Sequence, residues 1–169
     1  EKSPKIIAKL KKGKKIALVS DAGMPGISDP GAFLIRQVIA EQLPLEVLPG
    51  ANAALIAYIQ SGLLNNHFLF YGFLPRRTQE RTAALEALQG LSFPLIFYEA
   101  PHRLLAMLED ILKIFGPRRI SVSRELTKRF EETQRGTVQE LIAFYQKNTP
   151  RGEFVVVVDG APEKSAIKT

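Results

Sequence analysis

Apolar residues first recur at helical spacing at Ile6, Ile7 and Leu10, after Ser3 and Pro4 and before Gly13. Ser as N-cap, Pro at the first helical position and Gly as a stop predict a short opening helix. The apolar run at residues 16–19 predicts a strand over 15–19, and after the loop SDAGMPGISDPG a second helix is expected from about Pro30. Phe33, Leu34, Val38 and Ile39 would share one face of that helix, with Asp29 as its N-cap. Residues 45–48 read as a short strand running into PGANAA, which opens a helix that ends before Gly62. Residues 68–71 read as another strand.

The stretch GFLPRRT at residues 72–78 interrupts this pattern with Gly, Pro and charge. Beyond it, helices are expected at 79–88, 103–114 and 138–146, and strands at 95–98, 120–124, 132–135 and 154–158. The last strand, FVVVV, is apolar throughout. The early alternation of strands and helices predicts an α/β fold with a largely parallel sheet and crossover helices. We place a domain boundary at the interruption, giving a first α/β domain at 1–73, a second at 74–160 and a frayed tail at 161–169.

Composition narrows the function. The 169 residues are 46% hydrophobic, which is globular composition and enough chain to bury a core. No apolar run reaches the roughly 18 residues of a membrane span, and no signal peptide is evident. Cysteine is absent and His67 and His102 are the only histidines, so no metal site is expected. These features point to a cytoplasmic, metal-independent protein. The net charge of +6, with basic clusters at 9–15, 76–77, 118–119 and 128–129, permits a polyanionic partner such as RNA without requiring one.

Four loops at strand ends are candidates for chemistry. Residues 20–31 carry no GxxxxGK[ST] or GxGxxG pattern, yet they follow a strand, where open α/β sheets place ligands. Gly23 and Gly26 let backbone approach a ligand, and Asp21 could accept hydrogen bonds from hydroxyl or ammonium groups. A plain turn is the competing reading, and it suffices for Asp29. The loop at 49–54, with Gly50 and small alanines, offers either a smooth wall for a ring or a tight strand–helix turn. In FYEAPHR, Glu99 or His102 could take a proton and Arg103 could pair with an anion; an exposed ion pair would serve equally well. In SRELTKRFEE, charge could grip a phosphate or simply be solvated.

Together, the phrases VSDAGMPGISDPG, LPGANAA, GFLPRR, LIFYEAPHRL, SRELTKRFEE and GEFVVVVDG resemble the ribosomal RNA small subunit methyltransferase I family, within the tetrapyrrole methylase superfamily. The resemblance implies two α/β domains of the tetrapyrrole methylase type and a homodimer. It also implies S-adenosylmethionine-dependent methylation of a cytidine ribose 2′-hydroxyl in small-subunit ribosomal RNA. Cofactor contact is implied for Asp21, Ala22, Gly23, Pro49, Gly50, Ala51, Ala53 and Tyr98. Glu99, His102 and Lys128 become catalytic candidates, and Arg103, Arg124 and Glu125 substrate-binding ones; no metal is implied.

Two positions depart from the family pattern: Met24 stands where threonine is usual, and Asn52 where cysteine or another small residue is common. The family's opening strand, PxPIGN-like loop and AEDTR-like segment have no counterpart here. The first domain is therefore expected to be incomplete at its amino end, with one wall of the cleft lacking. A tetrapyrrole-type small-molecule methyltransferase and a non-catalytic RNA-binding fragment are the competing functions.

Overall fold

The computed structural model describes residues 2–21 and 23–162. It divides into two compact units, Glu1–Asn52 and Ala53–Thr169. In the first, helix α1 (Ser3–Lys11) has proline in its opening turn, as expected. Ser3 is nonetheless the first helical residue, and Lys2 holds the cap position with no side-chain cap bond. Helix α2 (Ala32–Ala40) is preceded by Gly31 rather than capped by Asp29. Lys11 Nζ lies 2.6 Å from Glu41 Oε2, tying the ends of α1 and α2 together.

The strands expected at 15–19 and 45–48 do not form a ladder among the described residues. Ile16, Leu18 and Val19 of the one run, and Leu45, Val47 and Leu48 of the other, are all exposed. An apolar run favours extended backbone, but a strand exists only through its hydrogen-bonded neighbour.

In the second unit helix α3 (Ala53–Ser61) is followed by strand β1 (Leu69–Phe73), helix α4 (Thr78–Leu88) and strand β2 (Leu95–Glu99). A single 3₁₀ turn, Pro101–Arg103, leads into helix α5 (Leu104–Phe115). Strands β3 (Arg119–Arg124) and β4 (Glu132–Thr137), helix α6 (Val138–Lys147) and strand β5 (Phe154–Val158) complete the unit. Helix α6 starts at a capping box, in which Thr137 Oγ1 accepts from the Glu140 N–H and Glu140 accepts from the Thr137 N–H.

The α/β class is as expected, but the largely parallel sheet is not found among the described residues. The order is β1-β2-β5-β3-β4; only β1 and β2 run parallel, and the other pairs are antiparallel. The chain returns after α6 and inserts β5 between β2 and β3, so the central strand runs against both neighbours. Its five residues are all buried, as a strand covered on both faces requires.

Alternate residues divide the two faces. Leu95, Phe97, Val122, Phe154 and Val156 pack with α4, α5 and α6, while Ile96, Val155 and Val157 pack with α3. The boundary expected at 73/74 falls at the end of the β1–β2 ladder, inside the second unit. The turn that suggested it is pinned there. The Arg103 guanidinium donates to Leu74 O and Pro75 O, and the Arg81 guanidinium to Arg76 O.

Arg81 is itself buried and paired to Asp110 at 2.6 Å, joining α4 to α5. Removing one member of such a pair strands the other charge out of water. Asp110→Ala is expected to cost about 3 kcal/mol, read as a lower urea midpoint, and Arg81→Met with Asp110→Leu should recover much of that loss.

Candidate active site

In the first unit, two glycine-bearing loops meet backbone to backbone. Ser20 Oγ donates to Gly23 O at 2.7 Å, and the Met24 N–H donates to Ala51 O at 3.0 Å. Gly23 sits at φ +79°, and a Cβ there would lie 2.9 Å from Ala51 O. Both constraints call for glycine. A Cβ on Gly50 would come within 3.0 Å of Met24 Cγ, so side-chain bulk is excluded from both partners. Asp21, Gly23, Pro49, Gly50 and Ala51 are all exposed along this seam, and Ala22 lies outside the described residues. The result is a seam of paired backbone groups, with the exposed Asp21 next to it in the chain.

The second unit gathers its candidates at one end of the sheet. Glu99 on β2 and Arg124 on β3 both stand opposite Phe154 of β5, and Glu132 on β4 stands opposite Arg124. Two strand spacings therefore separate Glu99 from Arg124, about 10 Å of backbone. Arg124 Nε is 2.7 Å from Glu132 Oε2.

Glu99 is buried, which sequence did not foretell. Its Oε1 accepts from the Ala100 N–H at 2.8 Å and lies 3.2 Å from Arg103 Nε, while Oε2 has no hydrogen-bond partner. Burial pushes its pKa up, against the opposing pull of the Ala100 N–H and of Arg103, Arg81 and His102. His102 is exposed on the 3₁₀ turn. Tyr98 falls on the opposite face of β2, edge-on to Phe70 at 5.0 Å and to Phe73 at 5.6 Å. Ala53 packs against the same apolar cluster as Tyr98.

The loop after β3 is tightly tethered. Glu125 and Thr127 adopt positive φ of 48° and 64°. The Glu125 N–H donates to Glu153 O at 3.0 Å, and Glu125 Oε1 accepts from the Glu153 N–H at 2.9 Å. Lys128 Nζ reaches Glu125 Oε1 at 3.1 Å and Glu153 Oε2 at 2.8 Å. The Glu153 N–H and the Lys128 ammonium hold the Glu125 pKa below its ordinary value, and the two carboxylates raise that of Lys128.

Gln60 and Glu131 were missed in the sequence. Gln60 Nε2 donates to Glu131 Oε1, its Oε1 accepts from Thr133, and its backbone carbonyl accepts from Arg135. The available signal was a single amide-bearing side chain in a mostly apolar helix, AALIAYIQS.

The family model described as Tetrapyrrole (Corrin/Porphyrin) Methylases matches residues 1–142. The chain belongs to the tetrapyrrole methylase family. Within its curated relatives, the Ribosomal RNA small subunit methyltransferase I of Bacillus subtilis (strain 168) is 51% identical over 157 residues, 93% of this chain and 54% of the relative. That of Halalkalibacterium halodurans is 49% identical, over 95% of this chain and 55% of the relative. That of Thermotoga maritima is 43% identical, over 92% and 69%. The resemblance seen in the sequence phrases is thereby found, and the chain spans just over half the length of the first two relatives.

Solved tetrapyrrole methylases share the fold. The methyltransferase CobJ aligns with TM-score 0.70 and 20% identity, over 94% of this chain and 70% of that one. Uroporphyrin-III C-methyltransferase from Thermus thermophilus, complexed with S-adenosylhomocysteine, aligns with TM-score 0.62 and 12% identity, over 92% and 70%.

Two outcomes are expected of this tetrapyrrole methylase. Gly23→Ala should open the seam, seen as faster hydrogen exchange at the Met24 amide with the amides of β5 unchanged. The depressed Glu125 carboxylate stabilises its loop above the ordinary glutamate range, and that contribution is lost as pH falls through the depressed value. The Glu153 amide should accordingly lose protection on acidification, and Glu125→Gln should leave it weakly protected at every pH.

Proposed function

We propose that this chain carries the methyl-transfer machinery of an S-adenosylmethionine-dependent enzyme. Its substrate would be the 2′-hydroxyl of a cytidine ribose in small-subunit ribosomal RNA. The observation that carries the reading is the seam in which Gly23 and Met24 meet Ala51, because it packs the two loops backbone to backbone and leaves Asp21, Pro49, Gly50 and Ala51 exposed along it. The names of the relatives favour ribosomal RNA, and the S-adenosylhomocysteine complex of a fold neighbour favours this cofactor. A net charge of +6 suits an RNA partner. The same reading carries a homodimer working in the cytoplasm; no helix among the described residues is long and apolar enough to cross a membrane.

The cofactor supplies a methyl group already activated on a sulfonium centre, so the residues of this chain have three tasks. Asp21 and the backbone of the glycine seam bind and orient, which alone supplies much of the rate in a displacement between held partners. A second task is to take the ribose hydroxyl proton. His102 is exposed and chemically able to do so, whereas the Glu99 carboxylate is buried against Ala100 and Arg103 and is better read as holding the turn on which His102 sits. The third is electrostatic. Lys128, held between Glu125 and Glu153, is the cation this chain would bring to that task. Arg103 spends its guanidinium on Leu74 O and Pro75 O, so its part in substrate binding runs through the turn it clamps.

The test is methyl transfer from labelled S-adenosylmethionine to small ribosomal subunits lacking the modification, with the longer Bacillus subtilis relative run in parallel. Label should be recovered as 2′-O-methylcytidine; label in neither reaction would overturn the reading. Asp21→Ala should weaken cofactor binding about tenfold by calorimetry, the worth of a hydrogen bond to a charged group.

A further inference from the structure

The loop that follows β3 holds one apolar residue in and one out. Leu126 is 9% exposed and packs with the α3-side cluster, while Phe130, four residues on, is 66% exposed. An isolated surface phenylalanine is unremarkable on a slack loop. This loop is not slack. Its backbone is bonded from Lys128 to Glu125 and from Glu131 to Lys128, and Glu131 Oε2 accepts the Thr127 N–H at 2.5 Å.

From outside the loop, Gln60 of α3 grips the other oxygen of Glu131 at 2.8 Å. Glu153, just before β5, grips Glu125 and Lys128. Two non-glycine residues, Glu125 and Thr127, are kept at positive φ by these bonds. Such conformations persist only where the surroundings over-determine them, and they concentrate at functional sites.

Beside it stands Arg129, also exposed, its guanidinium 5.6 Å from the centre of the Phe130 ring. An aromatic face and a guanidinium fork on a rigid tip match an unpaired nucleotide, whose base stacks on the ring while its phosphate meets the cation. Of the acidic residues nearest in sequence, Glu132 is paired with Arg124, while Glu131 is bonded to the neutral Gln60 amide and the Thr127 N–H and keeps its charge. Arg129 forms no ion pair among the described residues, so its own guanidinium is the group open to a phosphate. We propose that Arg129 and Phe130 are an RNA-reading contact that stacks an unpaired base of the substrate. The proposal rests on the ribosomal RNA reading above, because Arg124, Glu125 and Lys128 of the same segment are that reading's substrate-side candidates.

The experiment measures binding of a fluorescein-labelled single-stranded RNA dodecamer, and of a blunt-ended RNA duplex of the same sequence, by anisotropy over a salt series. The variants are Phe130→Ala, Phe130→Trp and Arg129→Gln. Phe130→Ala should weaken single-strand binding about tenfold and leave duplex binding unaffected, Phe130→Trp should bind as tightly as the parent, and Arg129→Gln should lower the salt slope by about one. Equal thermal midpoints for parent and variants establish that the fold is intact. Parental single-strand affinity in Phe130→Ala overturns the proposal. So does a change from dimer to monomer in sedimentation at constant RNA affinity, which would make the tip a contact between copies.

The two readings fail separately. Methyl transfer to ribosomal subunits with an unaltered KM in Phe130→Ala removes the stacking contact and leaves the enzyme assignment standing. Absence of transfer alongside selective loss of single-strand binding does the reverse.

Discussion

Five consecutive residues, Phe154–Val158, are buried on both faces and hydrogen-bonded on both edges, and the candidate chemistry of the second unit is aligned on them. Because β5 runs antiparallel to β2 and β3 alike, one residue, Phe154, sets Glu99 and Arg124 level with each other. The same strand separates the two apolar layers: Phe154, Val156 and Val158 face α4, α5 and α6, and Val155 and Val157 face α3. A one-residue slip would exchange those faces and carry every aligned residue with it.

Around that strand, buried charge organises backbone instead of meeting solvent. The Arg103 and Arg81 guanidiniums between them take the carbonyls of residues 74, 75 and 76, and each is backed by a carboxylate, Glu99 or Asp110. Buried ion pairs are weak contributors to net stability, since desolvation offsets much of their attraction. Their evident effect here is positional. Three successive carbonyls have assigned donors, so the turn between β1 and α4 has a defined path, and Arg76 and Arg77 leave it toward solvent.

Much of the second unit was legible because its signals are local. The FVVVV run announced a strand covered on both faces, and the helices at 78–88, 104–115 and 138–147 came within a few residues of their expected bounds. The direction of β5 was not legible, because hydrophobic pattern specifies which residues are buried and not which neighbour they bond. For the same reason the runs at 15–19 and 45–48 read as strands, though they lack a ladder among the described residues. Of the candidate site, the glycine loops could be read from Gly23 and Gly50 alone. The burial of Glu99 could not, since its ion-pair partner Arg103 is oriented by carbonyls nearly thirty residues away. Nor could Gln60, whose partners lie more than seventy residues on.

Strand β1 occupies one border of the sheet, and its pairing with β2 slips between Phe70 and Gly72. The irregularity, with Gly72 at φ +81°, brings Phe73 opposite Tyr98 and completes the aromatic group of Phe70, Tyr98 and Phe73. It also interrupts the row of outward N–H and C=O groups that a straight border strand would offer to a passing chain. With Tyr71 and Phe73 both exposed, an unbroken β1 would be a sticky template for intermolecular sheet growth. The bulge twists that template out of register, so the irregularity that places Phe73 against Tyr98 also makes this border a poorer match for an added strand.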